Sequence, residues 1–363
     1  MPSTQTLLAR LATAALAIVM AAGIDTSSAS AQARHPESYR LTRTVQLGAP
    51  NAWDYLLYDR PSDRVFVAHG DRLSVVDGHS GRLLGEVGPI PGGPHGIAID
   101  RSAGIGMTDD GRLGQAVLFD LRTLRITQRV PIEPGADAVT FDPVSGHFYV
   151  IDGDTGRVAV IDPAAGHVVT SIRLGGDLEF AVPDDHGHLY VNGVTHREIF
   201  RIDTRTNRVL ASWPIAGCQS PHGLAIDVAA HRLFASCLNQ RLVVVDSNDG
   251  RLVATLPIGA GSDAVRFDPG RKLIFSSNGF DGTLSVIREL DPDHYASIDT
   301  LKTADTGRTM ALDRASGRIY IAAARVESQN AWKNWAEAFR AGVRSGPPLV
   351  PNSLALLFYD PRH

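Results

Sequence analysis

Seven ionisable residues recur along the sequence at intervals of 41–45 residues, each at the start of a short apolar run that ends in aspartate. The series is Asp54, His95, Asp137, Glu179, His222, Asp263 and Arg308. Only about a quarter of the residues in an ordinary protein are charged, so chance would rarely fill all seven equivalent positions with ionisable side chains. If the fold gathers them, we predict that these residues form a ligand-binding site.

Crowded together, four carboxylates, two imidazoles and one guanidinium would favour a bound ligand that offsets their charges. The ligand could be a divalent metal, a cationic molecule or a polar metabolite held by Arg308. Histidine and carboxylate ligands suit zinc or manganese, and His95, His222 and Glu179 are the candidate metal ligands. A possible divalent metal is the only cofactor that this pattern indicates. The alternative is that the acids cap the preceding loops and form a hydrogen-bonded network around channel water.

Two classes of function fit this series of residues. The first is a binding protein or scaffold that engages an unknown small ligand or a periplasmic protein. The second is a metal-assisted lyase or hydrolase, in which His95 or His222 is the general acid or base and Arg308 stabilises developing negative charge. The sequence contains no Gly-x-Ser-x-Gly elbow, His-Glu-x-x-His motif or phosphate-binding glycine loop. Because propeller enzymes assemble sites from scattered blades, this absence does not decide whether the protein is an enzyme.

The apolar runs belong to a repeated unit of four short strands. Each run precedes a strand rich in β-branched and aromatic residues, such as residues 64–68, and a strand that ends in aspartate, such as residues 73–77. A polar turn then leads to a fourth strand, such as residues 251–256. This period is typical of one propeller blade. Seven copies predict an all-β, seven-bladed β-propeller with four-stranded antiparallel blades, whose first strands line a central channel.

The two ends of the repeat region predict how the ring closes. The last unit supplies only three strands and ends with residues 353–359, whereas residues 39–47 form a strand that precedes the first unit. We expect this early strand to complete the last blade as its outer strand. Such pairing would also remove an exposed sheet edge, which is an aggregation hazard.

Several short motifs resemble a known type of propeller repeat. They are hairpin turns of the form Asp-x-x-x-Gly-Arg, as in residues 77–82, and strand ends such as Val75-Val76-Asp77 and Val160-Ile161-Asp162. These motifs resemble YVTN/YncE-type repeats over about residues 39–359. The resemblance implies a propeller of the quinoprotein amine dehydrogenase β-chain-like superfamily, whose members bind diverse ligands. Virginiamycin B lyase-type propellers are an analogy for the enzymatic alternative.

The amino-terminal segment and the charge balance indicate where the protein works. Residues 7–24 form an apolar stretch with a core of about 14 residues, and Ala29-Ser30-Ala31 fits a cleavage site. We predict a signal peptide, residues 1–31, and one mature domain, residues 32–363, without a membrane span and located in the periplasm or secreted. The alternative is an uncleaved membrane anchor. The net charge of −4 disfavours nucleic-acid binding, which is sometimes attributed to YncE-like proteins.

The two cysteines fall in one predicted hairpin. Cys218 precedes the first strand of the fifth unit, and Cys237 ends its second strand. Adjacent antiparallel strands bring such positions within disulfide range, and an exported location favours oxidation. We predict a Cys218–Cys237 disulfide, with two free thiols or a metal-ligating Cys237 as alternatives.

The seventh unit carries an insertion at about residues 325–352, between its second and third strands. Within it, Trp332, Trp335, Phe339 and Val343 recur at helical spacing on residues 329–344. Because the second strand returns to the channel mouth, we expect this helix to lie there. It would act as a lid or a docking element, or would only cover apolar surface on the rim.

Overall fold

The fold is taken from a computed structural model that describes residues 38–341 and 346–362. The predicted signal peptide, residues 1–31, lies outside these residues, and so does the end of the predicted helix, residues 342–344. In the part of the chain that is described, no helix is both long enough and apolar enough to cross a membrane.

Within the described residues, the strands form seven four-stranded antiparallel sheets, which are the blades of a propeller. The strand that precedes the first blade is β1 (Tyr39–Gly48). Blade one comprises β2 (Trp53–Asp59), β3 (Arg64–His69), β4 (Arg72–Asp77) and β5 (Leu83–Val87), with a 3-10 turn at Arg60–Ser62. Blade two comprises β6 (Ile97–Asp100), β7 (Ile105–Asp110), β8 (Gln115–Asp120) and β9 (Ile126–Pro131). Blade three comprises β10 (Ala136–Asp142), β11 (His147–Asp152), β12 (Arg157–Asp162) and β13 (His167–Arg173).

The remaining four blades repeat this arrangement. Blade four comprises β14 (Leu178–Pro183), β15 (His188–Gly193), β16 (Glu198–Asp203) and β17 (Arg208–Pro214). Blade five comprises β18 (Pro221–Asp227), β19 (Arg232–Cys237), β20 (Arg241–Asp246) and β21 (Leu252–Pro257). Blade six comprises β22 (Ser262–Asp268), β23 (Leu273–Asn278), β24 (Thr283–Asp291) and β25 (His294–Lys302). Blade seven comprises β26 (Thr309–Leu312), β27 (Ile319–Ala323) and β28 (Leu354–Pro361), followed by β1. The predicted seven-bladed propeller is therefore confirmed.

Neighbouring blades pack face to face through apolar side chains. Phe66 of blade one meets Phe119 of blade two with ring centroids 6.0 Å apart, and Phe234 of blade five meets Phe267 of blade six at 5.2 Å. All four rings are buried. Because both faces of the middle strands are covered, these strands appear in the sequence as continuous apolar runs. The first strands of adjacent blades contact one another around the central channel.

The repeated aspartate and glycine of the hairpins have a local role. Asp77 Oδ1 accepts a hydrogen bond from the Ser80 amide (2.6 Å), and Asp162 Oδ1 accepts one from the Ala164 amide (2.8 Å). Gly81, at the end of the first of these turns, has a φ of 75°, which glycine adopts without strain. The motif that carries the family resemblance therefore encodes a turn, not a site.

The ring closes through the two ends of the chain. Strand β1 pairs antiparallel with β28 from Tyr39 opposite Pro361 to Gly48 opposite Leu354. Beside this pairing, Arg318 donates two hydrogen bonds to Asp360, Nε to Oδ1 at 2.5 Å and Nη2 to Oδ2 at 2.9 Å. The predicted donation of an early strand to the last blade is confirmed.

Cys218 and Cys237 form a disulfide that ties the loop entering blade five to the end of β19. Both residues are buried, and the bridge spans 19 residues of sequence. With both sulfur atoms in the bridge, Cys237 is not a thiolate ligand for a metal.

Replacing both cysteines with alanine is expected to lower the free energy of unfolding by about 3 kcal/mol, because the bridge restricts a loop of this length in the unfolded chain. Urea denaturation of residues 32–363 with and without the double substitution measures the difference. Thiol titration of the unreduced, denatured wild type should detect no free thiol, whereas two thiols would contradict the bridge.

The insertion in blade seven contains α1 (Gln329–Arg340), which ends four residues before its predicted end. The helix begins where Ser328 Oγ accepts a hydrogen bond from the Ala331 amide (3.1 Å). It is fixed to blade six because Trp332 Nε1 donates to the carbonyl oxygen of Phe280 (3.1 Å). The helix therefore contacts the loop between β23 and β24.

Candidate functional site

The seven predicted residues, here called the ring residues, occupy special positions of their strands. Five of them lie where the register between first and second strands shifts, and these are Asp54, Asp137, Glu179, His222 and Asp263. The other two, His95 and Arg308, precede β6 and β26. Bulges of this kind re-aim side chains away from the usual alternation. They allow these five ring residues to face the channel instead of the neighbouring blades.

The structure brings the seven side chains together. Arg308 joins the two ends of the series, because its Nε lies 3.0 Å from Asp263 Oδ2 and its Nη2 lies 3.7 Å from Asp54 Oδ1. The other residues form two groups whose ligand atoms lie within 4.8 Å of one another. The first triad is Asp54, His95 and Asp137, and the second triad is Glu179, His222 and Asp263. Whether these residues bind a ligand stays a prediction.

His95 is held by a buried carboxylate. Its Nδ1 donates to Asp109 Oδ2 (2.8 Å), and Asp109 Oδ1 also accepts from the amides of His95 and Gly96 (3.1 and 2.7 Å). Asp109 is 0% exposed. Burial alone would lower the pKa of His95, but the hydrogen bond to Asp109 and the nearby carboxylates outweigh burial and raise this pKa to about 10. At neutral pH the ligand-free imidazole is therefore protonated and can act as an acid.

His222 is oriented in a similar way by the backbone. Its Nδ1 donates to the carbonyl oxygen of Ser220 (3.0 Å), so that its Nε2 faces Glu179 Oε2 at 4.0 Å. The carbonyl oxygen of His222 in turn accepts from Asn192 Nδ2 (2.7 Å). In both His95 and His222, Nδ1 therefore bonds to a group that is not one of the ring residues, and Nε2 faces the channel.

A glycine follows each ring histidine and brings the next blade close. A Cβ on Gly96 would lie 2.1 Å from the Val139 amide nitrogen, and one on Gly223 would lie 2.6 Å from that of Val265. Backbone nitrogens this close leave no space for any side chain. Because Val139 and Val265 follow the ring aspartates by two residues, the two glycines set the distance from each histidine to its neighbouring aspartate.

Three ring carboxyls carry raised pKa values. Burial is the largest cause for Asp54, Asp137 and Glu179, and repulsion between neighbouring carboxylates adds to it. Arg308 opposes this effect at Asp54, and the carboxylates in turn raise the pKa of Arg308. The cationic groups of the channel therefore offset only part of the repulsion between its carboxylates. This remaining repulsion favours a bound cation.

Tyr55 reaches across the channel beside the ring residues. Its hydroxyl, which belongs to blade one, donates across the channel to Glu179 Oε1 of blade four (3.1 Å). Its ring lies 4.9 Å from that of Phe180, and the Arg266 guanidinium lies 5.4 Å from Phe180 on the side of a second cavity of about 290 Å³. Sequence reasoning missed this contact, because regular alternation would point Tyr55 away from the channel when Asp54 points into it.

A cavity of about 660 Å³ opens on the other side of the ring. Five ring residues line it, namely Asp54, His95, His222, Asp263 and Arg308. Aromatic side chains form much of its wall, namely Trp53, Phe280, Trp332, Trp335 and Phe339. Helix α1 thus contributes three of these aromatic residues, and the helix predicted at the channel mouth lies there.

Some of these lining residues were not singled out from the sequence. Trp53 precedes a ring residue and lies under Arg308, whose guanidinium carbon is 5.7 Å from the ring centroid. Phe280 lies two residues beyond the end of β23. Arg112 also lines the cavity, and its side chain donates to the carbonyl oxygen of Gly92 (2.8 Å). The available signal was the neighbouring ring residue for Trp53 and the expected return of the second strand to the mouth for Phe280.

Comparison with known proteins shows the fold. No protein-family model and no curated sequence matches the chain. A chain of hydrazine synthase from Kuenenia stuttgartiensis superposes with a TM-score of 0.65 at 13% identity, over 75% of this chain and 93% of that one. A chain of a mitotic checkpoint complex superposes with a TM-score of 0.68 at 14% identity, over 85% of this chain and 95% of that one. At such identities the similarity shows the propeller and carries no activity or partner over.

Proposed function

We propose that this protein is an exported, YncE-like propeller that binds a small ligand at the mouth of its channel. In this proposal residues 1–31 are a signal peptide, and residues 32–363 work in the periplasm or outside the cell. The disulfide supports an oxidising compartment, where such bonds persist. The β-propeller itself suits a binding scaffold.

The mouth cavity carries the proposal. Its volume of about 660 Å³ falls within the roughly 300–1,000 Å³ of small-molecule sites. Such sites combine apolar walls with a few convergent polar groups. Here Phe280 and the aromatic residues of α1 supply the walls. His95, His222 and Arg308 supply the polar groups. The ligand that fits has one ionic or polar end directed to the ring and an apolar body against the aromatic wall.

A ligand screen can use the protein's own fluorescence. Of the four tryptophans, Trp53, Trp332 and Trp335 line the cavity, whereas Trp213 stacks on Tyr190 elsewhere in blade four. The mature protein is mixed with a panel of aromatic amines, aromatic carboxylates and amino acids. We expect at least one compound to change the fluorescence and to raise the melting temperature together. A panel in which no compound produces either effect would contradict the proposal.

For a compound selected in this way, Trp335→Ala is expected to weaken binding about ten-fold, since one aromatic contact contributes about 1–1.5 kcal/mol. Isothermal titration calorimetry measures the change. The matched control is Trp213→Ala, which removes a tryptophan remote from the cavity and should leave the affinity within two-fold. Equal affinity in the wild type and in Trp335→Ala would place the ligand somewhere other than the mouth.

The second candidate function is a lyase or hydrolase at the same mouth, with a metal assisting. It is favoured by the contact of His95 with the buried Asp109, which orients the imidazole, and by Arg308 in the same cavity. A protonated His95 would donate a proton to a leaving group, and Arg308 would stabilise an anion. Mass spectrometry of the selected compounds after incubation tests this function. Turnover by the wild type that is lost in His95→Gln, while this variant still binds the compound, would establish the enzymatic function. If the compounds are unchanged after incubation, the protein is a binding protein and not an enzyme for them.

A further inference from the structure

We infer that the channel holds two divalent transition-metal positions, one in each acid–His–acid triad. The ligands of the first are Asp54, His95 Nε2 and Asp137, and those of the second are Glu179 Oε2, His222 Nε2 and Asp263. This inference goes beyond the proposed ligand site and does not depend on it. The mouth would still be able to bind its ligand if the channel held no metal.

The spacing of the ligand atoms reaches that of a metal site if each triad contracts. In each triad they lie within 4.8 Å of one another. A tetrahedral metal at about 2.1 Å from each ligand holds two ligands about 3.4 Å apart. Side-chain rotations must therefore shorten the longest separation by as much as about 1.4 Å. Each triad offers two carboxylates and one imidazole, so that a neutral imidazole leaves two negative charges for one divalent ion. The imidazole also favours transition metals over magnesium or calcium.

The outer hydrogen bonds of the two histidines are independent evidence. A metal-ligating histidine almost always donates its other ring N–H to a carboxylate or a backbone carbonyl. His95 Nδ1 donates to Asp109 (2.8 Å), and His222 Nδ1 donates to the Ser220 carbonyl (3.0 Å). Neither acceptor belongs to a triad. Both histidines therefore present Nε2 to carboxylates in the orientation that a metal site requires.

The two triads are built on the same plan. Each spans three consecutive blades with histidine in the middle, and each histidine precedes a glycine that admits the next blade. Arg308 in the seventh blade lies between the triads on one side and contacts one carboxylate of each, Asp54 and Asp263. Glu179 also divides its oxygens, because Oε1 accepts from Tyr55 while Oε2 faces His222. The repeated pairing gives each triad the same set of candidate ligands.

Metal counting tests the inference. The mature protein is stripped with EDTA, dialysed against Zn²⁺ or Mn²⁺ and analysed for bound metal, and affinities are measured by calorimetry. We expect about two equivalents in the wild type, one in His95→Ala, one in His222→Ala and none in the double variant. His95→Gln and His222→Gln repeat the test with side chains of closer size, and thermal melting verifies that each variant is folded.

Two further variants separate a metal site from general charge effects. Asp109→Asn leaves every ligand in place and is expected to weaken binding at the first triad 10–100-fold, with a shifted Co²⁺ absorption spectrum and an unchanged second site. His188→Ala is the matched control, because His188 also pairs with an aspartate, Asp184 (2.7 Å), but its Nε2 contacts Arg201 (2.9 Å). It should bind two equivalents. No metal in the wild type, two equivalents in both histidine variants, or one equivalent abolished by either variant would overturn the inference.

Discussion

A chain of residues 49–363, which lacks β1 (Tyr39–Gly48), is expected not to form a stable monomer. Strand β1 supplies the fourth strand of blade seven and pairs with β28 along its length. At about 1 kcal/mol of net stability for each backbone hydrogen bond, its loss costs on the order of 5–10 kcal/mol, which is comparable with the whole stability of a typical domain. The exposed edge of β28 would then pair with other chains.

Size-exclusion chromatography and thermal melting compare residues 32–363 with residues 49–363. The shortened chain should aggregate or melt without a cooperative transition, and a synthetic peptide of residues 38–48 should restore the transition where a scrambled peptide does not. Two point variants refine the test. Tyr39→Ala removes a side chain that is 2% exposed and packs on Phe275, whereas Leu41→Ala changes one that is 50% exposed on the same strand. We expect about 3–5 kcal/mol of destabilisation from the first and less than about 0.5 kcal/mol from the second. A shortened chain with unchanged melting would contradict the closure.

Arg308→Met is expected to destabilise the metal-free protein by about 3 kcal/mol at pH 8. Arg308 contacts Asp54 and Asp263, and its removal leaves the ring carboxylates to repel one another. Removing one partner of a buried ion pair costs about 3–5 kcal/mol, and the lower end applies because the Arg308 side chain is 34% exposed. Arg308→Lys keeps the charge and should lose less.

The cost of Arg308→Met should shrink as the pH falls. Because Arg308 opposes the rise in the pKa of Asp54 and of Glu179, its loss raises both pKa values further. A carboxyl with a raised pKa keeps its proton in the folded protein after the unfolded chain has lost it near pH 4, so that stability falls as the pH rises. Urea denaturation in EDTA at pH 5 and pH 8 therefore should show a smaller difference from the wild type at pH 5. An equal difference at both pH values would refute this origin.

The sequence was sufficient for the architecture because each repeat carries the same information. The aspartate at the end of each run marks the end of a strand. The turn seen at Asp77 and Gly81 recurs from blade to blade. Equivalent positions in equivalent blades must lie around one axis. For that reason the repeats alone align the seven ring residues. The role of β1 could be predicted because the last unit contains only three strands of its own.

The detail of the site could not be derived in the same way. Whether Asp54 or Tyr55 faces the channel depends on a bulge, and with the bulge both do. The partner of His95 depends on how far β7 reaches, because Asp109 lies one residue before the end of that strand. The hydrogen bond from α1 to Phe280 joins residues 52 positions apart, and it depends on tertiary packing. Repeats predict positions, whereas these contacts depend on local departures from the repeat.

The hydrogen bond between Tyr55 and Glu179 is expected to limit passage through the channel. Tyr55 is 3% exposed and its hydroxyl bonds to a residue of blade four, so we expect ligands to reach the ring residues from the side of the large cavity. Helix α1 lines that cavity with three aromatic residues. Changes in affinity among variants of the helix should therefore be seen mainly in the dissociation rate.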